Sequence, residues 1–172
     1  MKLFKILPIS LLVIGTFSNG HFLLAENKNS ENYKVLSSEN DTLSIKSVQI
    51  FLDEGDRLIN RGEFEKAKSS YDKGRDLAKQ LSGFYRDLNG AFRGLDARIP
   101  REMDEKGRKS LSAWADANAR LAALYKRKNQ PEVAVPLLVE IIKLMTPSSS
   151  QGKAAYGDLR ELGFVETNYQ GF

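Results

Sequence analysis

Residues 63–96, EFEKAKSSYDKGRDLAKQLSGFYRDLNGAFRGLD, place apolar or small side chains at Phe64, Ala67, Tyr71, Gly74 and Ala78. The series then runs on without a change of spacing through Leu81, Phe84, Leu88, Phe92 and Leu95. Steps of three and four residues return to one face of an α-helix, so an unbroken stripe of this kind predicts a single long helix over 63–96. Gly83, Gly90 and Gly94 each weaken such a helix by up to about 1 kcal/mol, which allows a kink without ending it.

Working outward, DARIP at 96–100 breaks the pattern, and Pro100 suits the first turn of a new helix, where a missing N–H costs nothing. Met103, Leu111, Trp114, Leu121, Leu124 and Tyr125 then mark a second long helix to about Lys128. Trp114, on that stripe, is read as core. Two long helices joined by a short turn make an antiparallel hairpin whose tip is RDLNGAFRGLDARIPREMD, residues 86–104. Upstream, Val48, Phe51, Leu52, Leu58 and Ile59 have helical spacing, and Arg61-Gly62 stops that helix. Downstream, NQPE at 129–132 is a turn with Pro131 opening the next helix. Residues 132–146, EVAVPLLVEIIKLMT, are apolar nearly all round and are expected to be buried, with Pro136 bending the helix. The last element has a Ser N-cap and a written stop, in which Gly163 follows the C-cap and Phe164 folds back on Leu159 in a Schellman motif. The fold class is all-α, with a helical domain over residues 47–164 and a lengthened central helix hairpin.

The N-terminus, MKLFKILPISLLVIGTFSNGHFLLAEN, has the layout of a signal peptide over residues 1–25. Lys2 and Lys5 precede a largely apolar run from Ile6 to Phe17, and small residues follow at Ser18, Gly20 and Ala25. An apolar run of about twelve residues is short for a membrane-spanning helix. Cleavage fits after Gly20 or after Ala25, and the alternative is an uncleaved membrane anchor. Residues 26–46, rich in Asn, Ser, Glu and Lys, read as a flexible linker, and 165–172 as a loose tail. The chain has no cysteine, so stability rests on helix packing rather than disulfides. Its formal charge of +4 falls to +2 (4 − 2) once the two leader lysines are removed, which makes bulk charge a poor argument for nucleic acid as a partner.

The spacing Phe51, Gly55, Leu58, Gly62, Ala67, Tyr71, Gly74 resembles a tetratricopeptide (TPR) repeat. A second copy fits Leu121, Ala122, Tyr125, Asn129, Ala134 and Leu138, with Pro147 beyond. In that family small residues, here Gly55 and Ala67, let paired helices approach while Phe51, Leu58 and Tyr71 fill the gaps around them. Ala67 and Ala134 are 67 positions apart (134 − 67), close to two repeat lengths. The small residue of a middle repeat would fall near Arg101, which does not fit, so the resemblance implies that the middle unit is replaced by the long hairpin. The chain also resembles, more loosely, helical-repeat proteins exported in cyanobacteria, which implies the periplasm or the thylakoid lumen.

The only histidine is His21, in or beside the leader, and cysteine is absent, which excludes nucleophilic triads, thiol chemistry and His/Cys zinc sites from the mature chain. Carboxylate pairs such as Asp53/Asp56 and Glu102/Glu105 read as solvated helix faces, and the glycines lack the strand context of a phosphate loop. No catalytic, cofactor or metal site is expected, and the chain is read as a non-enzymatic protein-binding module. Two surfaces are candidates. At the tip, Arg86 and Arg93 are seven apart on one helix face with Tyr85, Phe84 and Phe92 near, while Arg98 and Arg101 flank the turn. Arginine among aromatics is the composition of binding hot spots. Asp87, Asp96, Glu102 and Asp104 allow instead that these arginines form internal ion pairs. The second surface is the concave groove that the TPR resemblance implies, with Gln49, Asp56 and Asn60 from the first unit and Asp116, Ala123, Lys126 and Arg127 from the second. An adaptor, scaffold or assembly factor for another protein is the expected function. A membrane-peripheral or membrane-anchored structural protein using the basic tip is the alternative.

Overall fold

A computed structural model describes residues 42–169. Five helices follow one another: α1 Ile45–Asn60, α2 Phe64–Phe92, α3 Arg98–Arg127, α4 Pro131–Met145 and α5 Ser150–Glu161. The described residues are all-helical, and each helix packs on the one before it. The long α2/α3 hairpin is the spine. α1 lies on its base, against both α2 and α3, and α4 and α5 lie against α3.

Two apolar cores result, and α3 contributes to both. Val48, Leu52 and Leu58 of α1 pack with Ala67, Tyr71, Ala78 and Leu81 of α2 and Ala117, Leu121 and Leu124 of α3. Ala115 and Ala122, from other turns of α3, pack with Ala134, Leu138 and Ile141 of α4 and with Ala155 and Leu159 of α5. Burying a leucine-sized side chain stabilises by about 1.5–3 kcal/mol, so these residues carry the fold. Small residues set the helix separation. A Cβ on Gly55 would collide with the Tyr71 ring, and one on Gly152 would collide with the Thr146 carbonyl oxygen.

The helix ends are closed by their own residues. Ser44 and Ser149 accept the amide hydrogens of Ser47 (3.1 Å) and Gly152 (2.9 Å) through their side chains. α1, α3 and α5 end alike. Gly62, Asn129 and Gly163 have positive φ, and the next residue's N–H bonds back to Leu58, Tyr125 and Leu159 respectively, each at 2.9 Å. These are Schellman closures, tolerant of Asn because a short polar side chain accepts the left-handed conformation.

Several boundaries differ from the sequence reading. The first long helix stops at Phe92 rather than Asp96. Arg93 is extended and Gly94 has φ 85°, so the backbone turns there and Leu95 leaves the helix. The return helix opens at Arg98, ahead of Pro100, because the Asp96 carboxylate accepts the Arg98 N–H at 2.8 Å. Ordered structure begins before residue 47, since Ser44 caps α1 and Leu43 packs on the first core. Part of the expected loose tail is held: Val165 packs on the second core, and Tyr156 donates to the Thr167 carbonyl at 2.8 Å. α4 is not buried all round. Ala134, Leu138 and Ile141 are fully buried and Val135, Leu137, Ile142 and Met145 partly so, while Val133, Pro136 and Val139 face out. The expected signal peptide and most of the expected linker lie outside the described residues.

Gly55→Ala should destabilise the protein by about 1–3 kcal/mol, because Tyr71 must move to admit a methyl group. Gly83→Ala, at a helical position with open space around it, should stabilise by up to about 1 kcal/mol. Urea unfolding of the two variants beside wild type checks both signs.

Candidate functional site

The expected concave groove is largely occupied by bonds within the chain. Asp56 accepts the Tyr71 hydroxyl at 2.7 Å and the Arg120 guanidinium at 3.1 Å on both carboxylate oxygens. Lys126 is held by Asp158 (2.9 Å) and Glu161 (2.6 Å) of α5. That contact raises the Lys126 pKa and lowers that of Glu161, each chiefly through their mutual hydrogen bond. Asp116 accepts from Gln151 at 2.6 Å, and Gln49 donates to Asp53 at 2.7 Å. Asn60, Ala123 and Arg127 are exposed. Arg127 and Ala123 line a notch of about 300 Å³ with Asp56, Ile59, Tyr71, Arg120 and Leu124. These charges therefore tie α1, α3 and α5 together, and Arg127 is the residue of the set that keeps an exposed cation with no ion-pair partner among the described residues.

Arg120 was not singled out from the sequence, although it is a lone arginine in the alanine-rich run ADANARLAA. It turns Asp56 from a surface carboxylate into a bridge between α1 and α3. The Tyr71 phenol beneath has its pKa pushed well up, first by burial and then by its hydrogen bond to Asp56.

At the hairpin tip the cross-strand lock is an amide rather than an arginine. Asn89, buried on α2, donates to the Pro100 carbonyl (2.9 Å) and to Asp104 (2.7 Å), both on α3. Its own oxygen accepts from Arg93 at 3.3 Å. The expected tip arginines make no ion pair across the hairpin. Arg86 pairs with its neighbour Asp87 at 3.1 Å, and Arg98 pairs with Asp96 at 2.7 Å, which lowers the Asp96 pKa. Arg101 is exposed with no ion-pair partner among the described residues. Tyr85 is half-buried against the first core, with the Lys106 ammonium 5.9 Å from its ring centre.

Between the outer halves of α2 and α3, above the end of α4, lies an open cleft of about 470 Å³. Tyr85, Met103, Leu111, Trp114 and Leu144 give it an apolar lining, and Arg86, Arg93 and Arg108 stand in its wall. Trp114 packs on the first core as expected and is partly buried, its ring also lining this cleft with the Lys79 ammonium 5.4 Å from its centre. Arg93 and Arg108 form no ion pair among the described residues, and the Asp104 carboxylate lines the same cleft. Arg86 and Arg93 meet here as their seven-residue spacing predicts. Arg108, not singled out from the sequence, joins them from α3. Arg98, Arg101 and the groove residues are not part of this cleft.

No family model matches this chain, and no curated protein or solved structure matches it either. The geometry therefore stands on its own.

Tyr71→Phe should cost about 1 kcal/mol at neutral pH, the net worth of one hydrogen bond. The raised phenol pKa fixes the sign of the alkaline response. Below about pH 10 both folded and unfolded chains keep the proton. As pH rises further the unfolded chain releases it while the folded chain holds it, so wild type loses stability. Tyr71→Phe should lose less over the same range, and urea midpoints between about pH 8 and pH 11 measure the difference.

Proposed function

We propose that the protein is a non-enzymatic, TPR-like helical-repeat protein that binds another protein as an adaptor, scaffold or assembly factor, and that the working surface is the cleft of the α2/α3 hairpin. The observation that carries this reading is a cleft that holds three guanidinium groups, Arg86, Arg93 and Arg108, against one carboxylate, Asp104, beside an aromatic and aliphatic lining. Guanidinium offers planar, multidentate contacts to carboxylates, and the partly buried rings of Trp114 and Tyr85 offer apolar area at low entropic cost. A segment carrying acidic residues beside a large apolar one is the matching chemistry.

Support for the repeat reading comes from internal equivalence. The left-handed residues Gly62 and Asn129 are 67 positions apart (129 − 62), as are the buried alanines Ala67 and Ala134 (134 − 67). The α1/α2 and α3/α4 junctions are in this sense one unit written twice, with the hairpin inserted between the copies. In the groove that such repeats would use, Asp56 and Lys126 are taken up by Arg120 and Asp158, which favours the hairpin cleft as the binding surface. The leader-like N-terminus supports an exported location, in the periplasm or a thylakoid lumen.

A crosslinked pull-down from the native host, comparing wild type with Arg93→Glu/Arg108→Glu, tests the reading once equal helicity and melting are established. A partner captured by wild type should fall by about tenfold or more in the variant, and its capture should weaken with salt. Undiminished capture by the variant rules the cleft out as the binding surface.

A further inference from the structure

The backbone is strained where α4 joins α5. Thr146 has φ 66° and ψ 150°, a region that glycine occupies and a β-branched residue almost never does. The left-handed Asn129 is a different case, because a short polar side chain tolerates that conformation. Pro147 keeps the ψ of Thr146 extended, so the strain sits in φ. Bonds within the turn and the approach of α5 hold it there. The Thr146 carbonyl accepts the Ser149 hydroxyl at 2.9 Å, and the oxygen of that hydroxyl accepts the Gly152 N–H at 2.9 Å. Glycine at 152 is what lets α5 come so close to the Thr146 carbonyl.

Beyond this turn α5 docks as one piece. Ala155 and Leu159 are buried against Ala115 and Ala122 of α3 and Leu138 and Ile141 of α4. Its polar bonds to other helices go to α3. Gln151 donates to Asp116 at 2.6 Å and to the Ser112 carbonyl at 3.3 Å, while Lys126 reaches Asp158 and Glu161. An α5 that swings away leaves an apolar seat open to water, and the piece that fits that seat residue for residue is another α5. We propose that Thr146 is a loaded hinge through which two copies of this chain exchange α5. In the exchanged dimer Thr146 returns to negative φ, and Thr146-Pro147 runs extended from one copy to the other. Each α5 then makes on the second copy the contacts it makes at home. Those contacts are common to both forms. The strain released at two hinges is therefore what favours the dimer against the entropy of association. This inference goes beyond the binding role of the cleft and uses none of its residues.

Sedimentation of the full-length protein over a range of concentrations reads the dimer, and Thr146→Gly removes the strain without touching the seat. The variant should keep its helicity, and its dimer association constant should fall by about a hundredfold, about tenfold for each hinge. Charge reversal of the α3–α5 pair separates exchange from contact through any other surface. Lys126→Glu in one chain, and Asp158→Lys/Glu161→Lys in another, each set like charges face to face in the monomer and in the homodimer. When the two chains are unfolded together in urea and refolded, only a heterodimer with exchanged α5 restores both opposite-charge pairs. Native mass spectrometry should then find heterodimer above the share that random pairing gives. A protein that stays monomeric at every concentration overturns the proposal. So does a dimer that Thr146→Gly leaves unchanged, or a heterodimer at the random share, since either places the contact outside the α5 seat.

Discussion

A helical hairpin that projects past its neighbours has one seam in which to bury side chains, and everything at the tip depends on how that seam is closed. Near the base α1 and α4 help to cover α2 and α3. In the outer half the two helices have only each other, and the last buried position on α2 is Asn89. An apolar side chain there would exclude water but would tolerate a slide of one helix along the other. The amide instead binds the Pro100 carbonyl and the Asp104 carboxylate, which exist at one register only. Desolvating an amide is costly unless its bonds are made, so a shifted register would leave a buried polar group unsatisfied. The positions of Arg93 and Arg108 across the cleft follow from that register.

Much of the architecture was legible because helical periodicity is a strong signal over long segments. The five helices, the Gly62 stop, the Asn129 turn and the Gly163 closure could be read from spacing and from residues that accept a left-handed backbone. The tip was harder, for a physical reason. After Leu81 two rows fit steps of three and four equally well. Phe84, Leu88, Phe92 and Leu95 form the more apolar row, whereas Tyr85 and Asn89 are the ones that face α3. Hydropathy chose the first row, and the interior chose the row whose polar atom finds partners across the seam. The end of α2 was misplaced for a related reason: Gly94 was weighed as a weak helix former, while its positive φ makes it the turn itself.

The candidate surfaces show the same limit. Asp56 and Lys126 were visible as charged residues on the expected groove, but their partners come from Arg120 on α3 and Asp158 and Glu161 on α5. Only the fold brings those together, and it converts groove charges into struts. Arg108 became visible when the fold placed it in the same cleft as Arg86 and Arg93. The cleft itself is defined by Leu144, which arrives from α4 and could not be assigned from α2 and α3 alone.

The two cores lie near the base of the spine, and both use the inner half of α3. The outer half of the hairpin belongs to neither beyond the contributions of Leu81 and Tyr85. Adding or removing matched helical turns on both limbs there would change how far the apex stands from the body while leaving both cores intact. The molecule is in this sense an arm on a fixed mount. Its reach is the property that insertions and deletions can vary most freely, and related chains could differ in arm length while sharing the same base.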